Sequence, residues 1–407
     1  MNVFIIPSWY PSKDQPHTGI FFKEQAEALA YVFPDSDFAL STWGSHEHDL
    51  LLESKDHIRN FSKLLKFSSK KASELKLKTN LREFYSPAFT WTRKLFRGNI
   101  DNIVKVNERH FLSFQKEVGK IDIIHAHSAH PAGWVAMELA KKYGIPYIIT
   151  EHMGPFPFRD FLLSTGKLSP YLEKPLHNSN ANVAVSPQLK ETLNKWEIPR
   201  VSYIPNLTDE SFFKVKPESQ NQDGTFTFFT LARLEEGKGI SFLLEALKLL
   251  SKGYSNIRLR VGGDGSQAET YHTLAKNLGI EDKVEWLGLL DRQQSLNEFQ
   301  NCDAFVLASL HENLPLVLIE ALACGKPLIG TYCGGSESII HEKNGLVVEP
   351  GNTEALADAM EDMYLNSRRY DPEEIRSDFM SRYSRPVVCK QIMNLYQEVI
   401  NQHKTTL

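Results

Sequence analysis

Four charged side chains in the second half of the chain, Arg233, Lys238, Glu312 and Glu320, have the types needed to handle an anion and a sugar. Arg233 and Lys238 flank the turn Leu234-Glu235-Glu236-Gly237 directly after an apolar run. That puts both cations at the carboxyl end of a strand, where open α/β sheets bind ligands. Two fixed cations can neutralise a leaving diphosphate without a metal; alone, they are equally a solvated, charged turn. Glu312 and Glu320 are eight residues apart, Glu312 in a loop and Glu320 in the second turn of the helix that follows. The spacing does not give one i, i+4 face, but both can line one end of that helix at different depths. Carboxylates accept hydrogen bonds from sugar hydroxyls, commonly in pairs. As isolated acids they simply suit a helix N-terminus.

Three turns lead into helices in the way that collects free N–H groups around an anion. They are His17-Thr18-Gly19-Ile20, Gly262-Gly263-Asp264-Gly265, and Glu312-Asn313-Leu314-Pro315, where Pro315 suits a first helical turn. Each by itself reads better as a structural turn; three in two Rossmann-like domains point toward a phosphate held in a cleft between them. The second turn is not GxGxxG, which argues against a nicotinamide-dependent oxidoreductase. In the first half, His125-Ala126-His127-Ser128-Ala129-His130 follows a strand, and His125 and His127 share a side if the strand continues. No carboxylate stands at a metal-ligating spacing from them, so no metal is expected. His152, in Thr150-Glu151-His152-Met153-Gly154, is a further candidate and equally a structural histidine. Asp35-Ser36-Asp37 superficially matches a metal-binding DxD, but it precedes a strand and reads as a turn.

The elements that must position these groups alternate. Strands are predicted at Asn2–Ile6, Phe38–Thr42, Ile121–Ala126, Tyr147–Thr150, Asn182–Val185 and Val201–Ile204, then at Thr225–Leu231, Ile257–Val261, Val284–Leu287, Ala304–Ala308, Leu328–Gly330 and Leu346–Val348. Several are continuous apolar runs, as expected of parallel strands buried on both faces. Amphipathic stretches such as Phe21–Tyr31, Trp134–Lys142, Ser241–Leu250 and Glu354–Met363 separate them. This rhythm predicts an α/β fold with parallel sheets. It pauses at the polar Lys214–Gly224, which reads as a connection between two Rossmann-like halves.

Composition narrows the class. With 407 residues, 42% hydrophobic and 24% charged, the chain suits a globular protein of two or three domains. The net charge of -4 argues against a general polyanion binder. Cys302, Cys324, Cys333 and Cys389 form no CxxC pair, which suggests free thiols in a reducing compartment. No apolar run approaches a membrane span, and the opening residues read as a first strand rather than a signal peptide. A soluble cytosolic enzyme is expected. Residues 55–97 depart from the average, with 12 basic side chains against three acidic ones among aromatic and aliphatic residues.

The stretch Ser309–Pro327 (SLHENLPLVLIEALACGKP) resembles the E-x7-E segment of retaining glycosyltransferase family 4. Leu231–Gly239 looks like the family's diphosphate-binding turn. Val261–Gly265, Trp286-Leu287-Gly288 and Ile204-Pro205-Asn206 look like further landmarks. The resemblance implies a GT-B fold: two Rossmann-like domains with parallel sheets facing an interdomain cleft. The acceptor domain would span 1–205, the nucleotide-sugar domain 206–385, and a C-terminal helix, 386–407, would pack back on the first. It further implies that Arg233 and Lys238 bind the diphosphate and that Glu312 contacts hydroxyls of the donor sugar, helped by the backbone of Asn313 and Leu314. Glu320 would bind the ribose, the Leu287-Gly288 turn would lie near the base, and Gly263 would belong to the donor site. Gly19 would allow close approach to the phosphates. His127, then His130, would stand beside the donor sugar; His152 is less typical, because Met153 replaces a common glycine.

The implied reaction is retaining transfer of a hexose-type sugar from a nucleotide-sugar, commonly a UDP-sugar, to a glycan or lipid-linked acceptor. It requires neither cofactor nor metal. Ile6-Pro7-Ser8-Trp9-Tyr10-Pro11 and His125-Ala126-His127 resemble bacterial members that build surface polysaccharide. A nucleotide-sugar epimerase and a catalytically silent nucleotide-sugar-binding module are the alternatives. The basic region 55–97 suits an anionic membrane surface on the cytoplasmic side. It is equally a helical hairpin whose apolar residues pack inward. No nucleic-acid recognition motif accompanies it.

Overall fold

The computed structural model describes residues 1–15, 18–45, 47–53, 57–67, 70–91, 96–216 and 224–406. Of the stretches named above, His17, residues 55–56, 68–69 and 92–95 of the basic region, and 217–223 of the polar connection lie outside the described residues.

The chain forms two compact units. The first comprises Met1–Val185, Leu189–Leu207 and Val388–Leu407; the second comprises Ser186–Gln188 and Thr208–Val387. In the first unit the strands are β1 (Asn2–Pro7), β2 (Asp37–Thr42), β3 (Ser73–Lys78), β4 (Leu81–Tyr85), β5 (Ile123–His127), β6 (Tyr147–Glu151), β7 (Ala181–Ala184) and β8 (Val201–Tyr203). They form one sheet in the order β3-β4-β2-β1-β5-β6-β7-β8. All neighbours are parallel except β3 and β4. Helices α1 (Ile20–Val32), α2 (His57–Phe67), α3 (Ile100–Val118), α4 (Trp134–Tyr143), α5 (Pro170–Asn178) and α6 (Pro187–Lys195) connect them. The second unit has a parallel sheet of β9 (Phe226–Leu231), β10 (Ile257–Gly262), β11 (Val284–Gly288), β12 (Ala304–Leu307), β13 (Leu328–Thr331) and β14 (Gly345–Val348), ordered β11-β10-β9-β12-β13-β14. Its helices are α7 (Ile240–Leu250), α8 (Ala268–Leu278), α9 (Arg292–Asn301), α10 (Leu316–Ala323), α11 (Thr353–Asn366) and α12 (Pro372–Arg382).

β5, β6, β7, β12 and β13 are buried along their whole length. Helices or loops cover both faces of such strands, so their sequences read as apolar runs without alternation. The last helix, α13 (Arg385–Thr406), crosses into the first unit. Val388, Cys389, Ile392, Tyr396, Val399 and Ile400 join Val3, Ile5, Phe38, Leu40 and Ile123 in one core cluster.

The hairpin β3–β4 is absent from the expected strands. Its segment Ser73–Lys78 alternates leucine with charged residues at the sheet edge and is mostly exposed, so no apolar run marks it. Lysines on an edge strand discourage pairing with other chains. The expected helical hairpin is therefore corrected to one helix, α2, followed by a β-hairpin. Of the apolar residues of α2, Phe67 packs on Phe89, whereas Ile58, Phe61, Leu64 and Leu65 are exposed.

Both sheets reverse their winding beside the first strand of the unit. β1 lies between β2 and β5, and β9 lies between β10 and β12. Such switch points open a crevice outside the carboxyl ends of the strands. Gly19 follows β1 and His127 ends β5; Arg233 and Lys238 follow β9 and Glu312 follows β12.

Candidate active site

In the second unit, the turn after β9 and the loop after β12 are tied together. Leu310 N–H donates to the Gly237 carbonyl at 2.9 Å. Gly239, at φ +67°, caps α7, and a Cβ there would lie 1.9 Å from the Ala308 carbonyl oxygen. Any side chain would push the turn off β12, so glycine sets the distance between Lys238 and Glu312. Lys238 Nζ donates to Glu312 Oε1 at 2.6 Å, and Ser309 Oγ donates to the same oxygen at 2.8 Å. Glu312 N–H is held by the Cys333 carbonyl at 2.8 Å. Arg233 reaches out with 81% of its side chain exposed, 3.8 Å from Glu235 Oε1. The structure thus brings Arg233, Lys238 and Glu312 to one switch point: two cations, with an anionic acceptor bound to one of them.

Asn313 and the buried Leu314 precede α10. Pro315 occupies the N-cap position rather than the first turn, and neither α7 nor α10 has a side-chain cap. Their first N–H groups point toward the strand ends, with the positive end of the helix dipole behind them. Glu320, half-buried, sits one turn further along α10.

The glycine-rich turn plays a different local part. Gly263 has φ +121°, and a Cβ there would be 1.8 Å from the Ala232 carbonyl oxygen. Its N–H donates to the Gly288 carbonyl at 2.7 Å. Gly265 N–H donates to Asp264 Oδ1, and Ser266 N–H and Oγ donate to the Glu235 carboxylate. Gly263 therefore lets the turn close against the Arg233 segment and against Leu287-Gly288, which ends β11 as strand rather than forming the expected turn.

In the first unit, Gly19 is buried at the N-cap of α1, against Trp9. His127 and His125 lie on the same side of β5, with ring centroids 4.3 Å apart. His125 is tied on both nitrogens, to Tyr396 Oη at 2.6 Å and to Thr150 Oγ1 at 2.7 Å. It locks α13 onto the sheet. His127 Nδ1 meets His152 Nε2 at 3.2 Å, and Phe22 lies against both rings. Burial holds all three imidazoles neutral: His125 and His152 are pushed down to about 3, and His127 well below its ordinary value. A neutral imidazole has one donor and one acceptor nitrogen, which suits a hydroxyl. His130 lies apart from this pair, against Phe161 and Tyr171. Among the described residues, no three His, Cys, Asp or Glu side chains are grouped to hold a metal ion.

Two residues missed in the sequence organise these groups. Ser309, fully buried, braces Glu312; its position three residues upstream was the available signal. Glu151, also fully buried, accepts N–H bonds from Ala129 at 2.9 Å and from His152 and Met153 at 2.8 Å. Burial raises its pKa, while the three N–H groups favour the ionised form. Glu151 joins the end of β5 to the loop carrying His152. Ser128 between them adopts φ 68°, a conformation that costs a non-glycine residue about 1–3 kcal/mol and recurs at functional sites.

Residues 73–212 match the family described as Glycosyltransferase Family 4, and residues 211–379 match Glycosyl transferases group 1. The chain belongs to glycosyltransferase family 4. An uncharacterized glycosyltransferase of Methanocaldococcus jannaschii is 25% identical over 74% of this chain and 84% of its own length. Sucrose-phosphate synthase from Thermosynechococcus elongatus superposes with a TM-score of 0.76 at 18% identity, covering 99% of this chain and 100% of that one. Anabaena HepE in complex with UDP-glucose superposes with a TM-score of 0.67 at 16% identity, covering 97% of this chain and 99% of that one. The family 4 glycosyltransferase described here has the GT-B fold, two Rossmann-like domains with mostly parallel sheets.

Proposed function

We propose that this glycosyltransferase transfers a hexose-type sugar from a UDP-sugar to a glycan or lipid-linked acceptor in surface polysaccharide biosynthesis. It does so with retention of configuration, without a metal, at the cytoplasmic side of the membrane. The observation that carries this reading is the Lys238–Glu312 pair beside Arg233 at the β9/β12 switch point. The UDP-glucose bound to HepE supports uridine as the base. The resemblance of Ile6–Pro11 and His125–His127 to polysaccharide-building members supports the acceptor class.

In the proposed reaction the bond from the anomeric carbon to the diphosphate oxygen breaks, and its electron pair leaves with UDP. Arg233, Lys238 and the N-termini of α7 and α10 oppose that negative charge. The acceptor oxygen forms the new bond on the same face, and its proton passes to the departing diphosphate. Glu312 accepts from donor-sugar hydroxyls, Glu320 from the ribose, and neutral His127 hydrogen-bonds a sugar hydroxyl.

The test is thermal stabilisation by UDP-, GDP- and ADP-sugars with EDTA present, followed by the anomeric configuration of the product. A selective shift with a UDP-sugar and a retained anomer are expected. An inverted anomer refutes the mechanism. UDP release that no acceptor stimulates favours an epimerase or hydrolase. No shift with any donor, even with added Mg²⁺ or Mn²⁺, favours a silent module.

A further inference from the structure

We propose that the first unit holds the acceptor through an uncharged sugar ring stacked on an aromatic layer rimmed by Trp9 and Phe21. The layer stands where β1, β5 and β6 end. Trp9 follows β1 by two residues, Phe21 and Phe22 lie in the first turn of α1, His127 ends β5 and His152 follows β6. Their rings form one continuous set. The Trp9 centroid lies 5.3 Å from that of Phe22, and Phe22 lies 4.6 Å from His127 and 4.9 Å from His152. Phe21 closes the set, 4.2 Å from Phe22 and 5.0 Å from His152. Phe22 and His127 are the buried floor of the layer, whereas Trp9 and Phe21 are only half-buried. Gly19 makes room for the indole: at φ +72°, a Cβ there would come within 2.7 Å of Trp9 Cδ1.

The chemistry of the layer selects the ligand. Burial holds His127 and His152 neutral, so the rings offer no cation to a phosphate or carboxylate. The imidazole nitrogens make the layer equally unsuited to a plain acyl chain. The adjacent Glu151 carboxylate is engaged by the N–H groups of Ala129, His152 and Met153. A pyranose fits both features, with a C–H face that packs on aromatic rings and an edge of hydroxyls. His127 Nδ1 meets His152 Nε2, which leaves His127 Nε2 as the nitrogen for a hydroxyl. In the reaction proposed above, Arg233, Lys238, Glu312 and Glu320 of the second unit grip the donor, and His127 takes a sugar hydroxyl. Trp9 and Phe21, at the rim beyond Phe22, are then the acceptor's. The inference rests on that reading and narrows its acceptor to one whose reacting unit is an uncharged pyranose.

The test is saturation-transfer NMR on the full chain with UDP present. The probes are the methyl pyranosides of glucose, galactose, mannose and N-acetylglucosamine. Sorbitol, glycerol 3-phosphate and hexane-1,2-diol are the controls for hydroxyls without a ring, an anion and an apolar chain. Wild type is compared with W9A, with the milder W9F, which keeps a flat ring, and with F21L; the UDP-glucose thermal shift is measured for each. At least one pyranoside should receive saturation on its ring C–H protons. W9A should bind it at least ~10-fold more weakly and W9F about threefold more weakly, with an unchanged UDP-glucose shift. F21L should also weaken it. Absence of transfer to every pyranoside overturns the proposal, as does binding by W9A and W9F equal to wild type. A control compound that binds as tightly as the best pyranoside, and loses binding in W9A, overturns the choice of a sugar ring. Trp9-dependent pyranoside binding with no UDP-glucose shift in any form would refute the donor reading and leave the aromatic layer standing.

Discussion

Replacing Glu312 by glutamine separates two jobs that the structure gives to one carboxylate. Glu312 Oε1 accepts from both Lys238 Nζ, at 2.6 Å, and Ser309 Oγ, at 2.8 Å. Glutamine retains an oxygen for both bonds and loses the charge. The bond from the Lys238 ammonium to a glutamine oxygen keeps one charged partner and loses only the ion-pair attraction, about 1 kcal/mol for a partly exposed pair. The grip on Lys238 should therefore loosen by about 1 kcal/mol. UDP has a diphosphate but no sugar for Glu312 to hold, so the freed Lys238 should bind it about fivefold more tightly. The sugar-bearing donor loses its charged acceptor for two hydroxyls, and kcat/KM for transfer should fall by about 100-fold. Isothermal titration with UDP and initial-rate transfer assays measure the two effects. Opposite signs are expected. If E312Q weakens UDP binding tenfold, Glu312 is holding Lys238 in its phosphate-binding position, and the competition argument fails.

Lys238→Ala removes a cation aimed at the leaving group and should lower kcat by about 10²–10³-fold; activity within fivefold of wild type, in steady-state assays, would remove Lys238 from the mechanism. Gly263→Ala places a methyl 1.8 Å from the Ala232 carbonyl oxygen, and a cost of about 3 kcal/mol should lower the Tm of the second unit by roughly 6–12 °C; calorimetry showing a shift under 2 °C would contradict that close approach. Tyr396→Phe deletes the hydroxyl that meets His125 Nδ1 and should destabilise the first unit by about 1–3 kcal/mol, with faster amide exchange in α13; unchanged exchange there would show that His125 does not lock the helix. Burial pushes His125 and His152 down to about 3, and His110, buried on α3 between Ser41 and Ser86, down to about 4, against 6.5 unfolded, so their stabilisation is complete above pH 6.5 and is lost as pH falls toward the folded values. Each should cost about 1.4 kcal/mol per pH unit inside that window, and a urea midpoint that stays flat from pH 7 to pH 4 would refute their buried neutral state.

The central parallel strands, such as β5, β6, β12 and β13, were legible because they are buried on both faces, and burial writes itself into sequence as an apolar run. The exceptions were β3 and β4: Glu74, Lys76 and Lys78 of β3 are edge residues, and β4 (Leu81–Tyr85), though parallel to β2, carries Arg82 and Glu83, so neither left an apolar run. Arg233, Lys238 and Glu312 were legible as charged residues that follow strands, while the roles proposed for them came from the family resemblance.

What the sequence by itself determined is therefore the alternation of elements and the residue types at the strand ends. Only the tertiary structure decided which strand ends meet. Sheet order put β9 beside β12 and β1 beside β5, and that alone brings Lys238 to Glu312 across 74 residues. It also made Glu151 and Ser309 organising residues, because their role is to fill hydrogen bonds created by burial. The outward apolar stripe of α2 was decided at the same level. Its helical period is readable, but which face turns inward depends on the Leu51 carbonyl that holds Lys63, a partner that folding alone supplies.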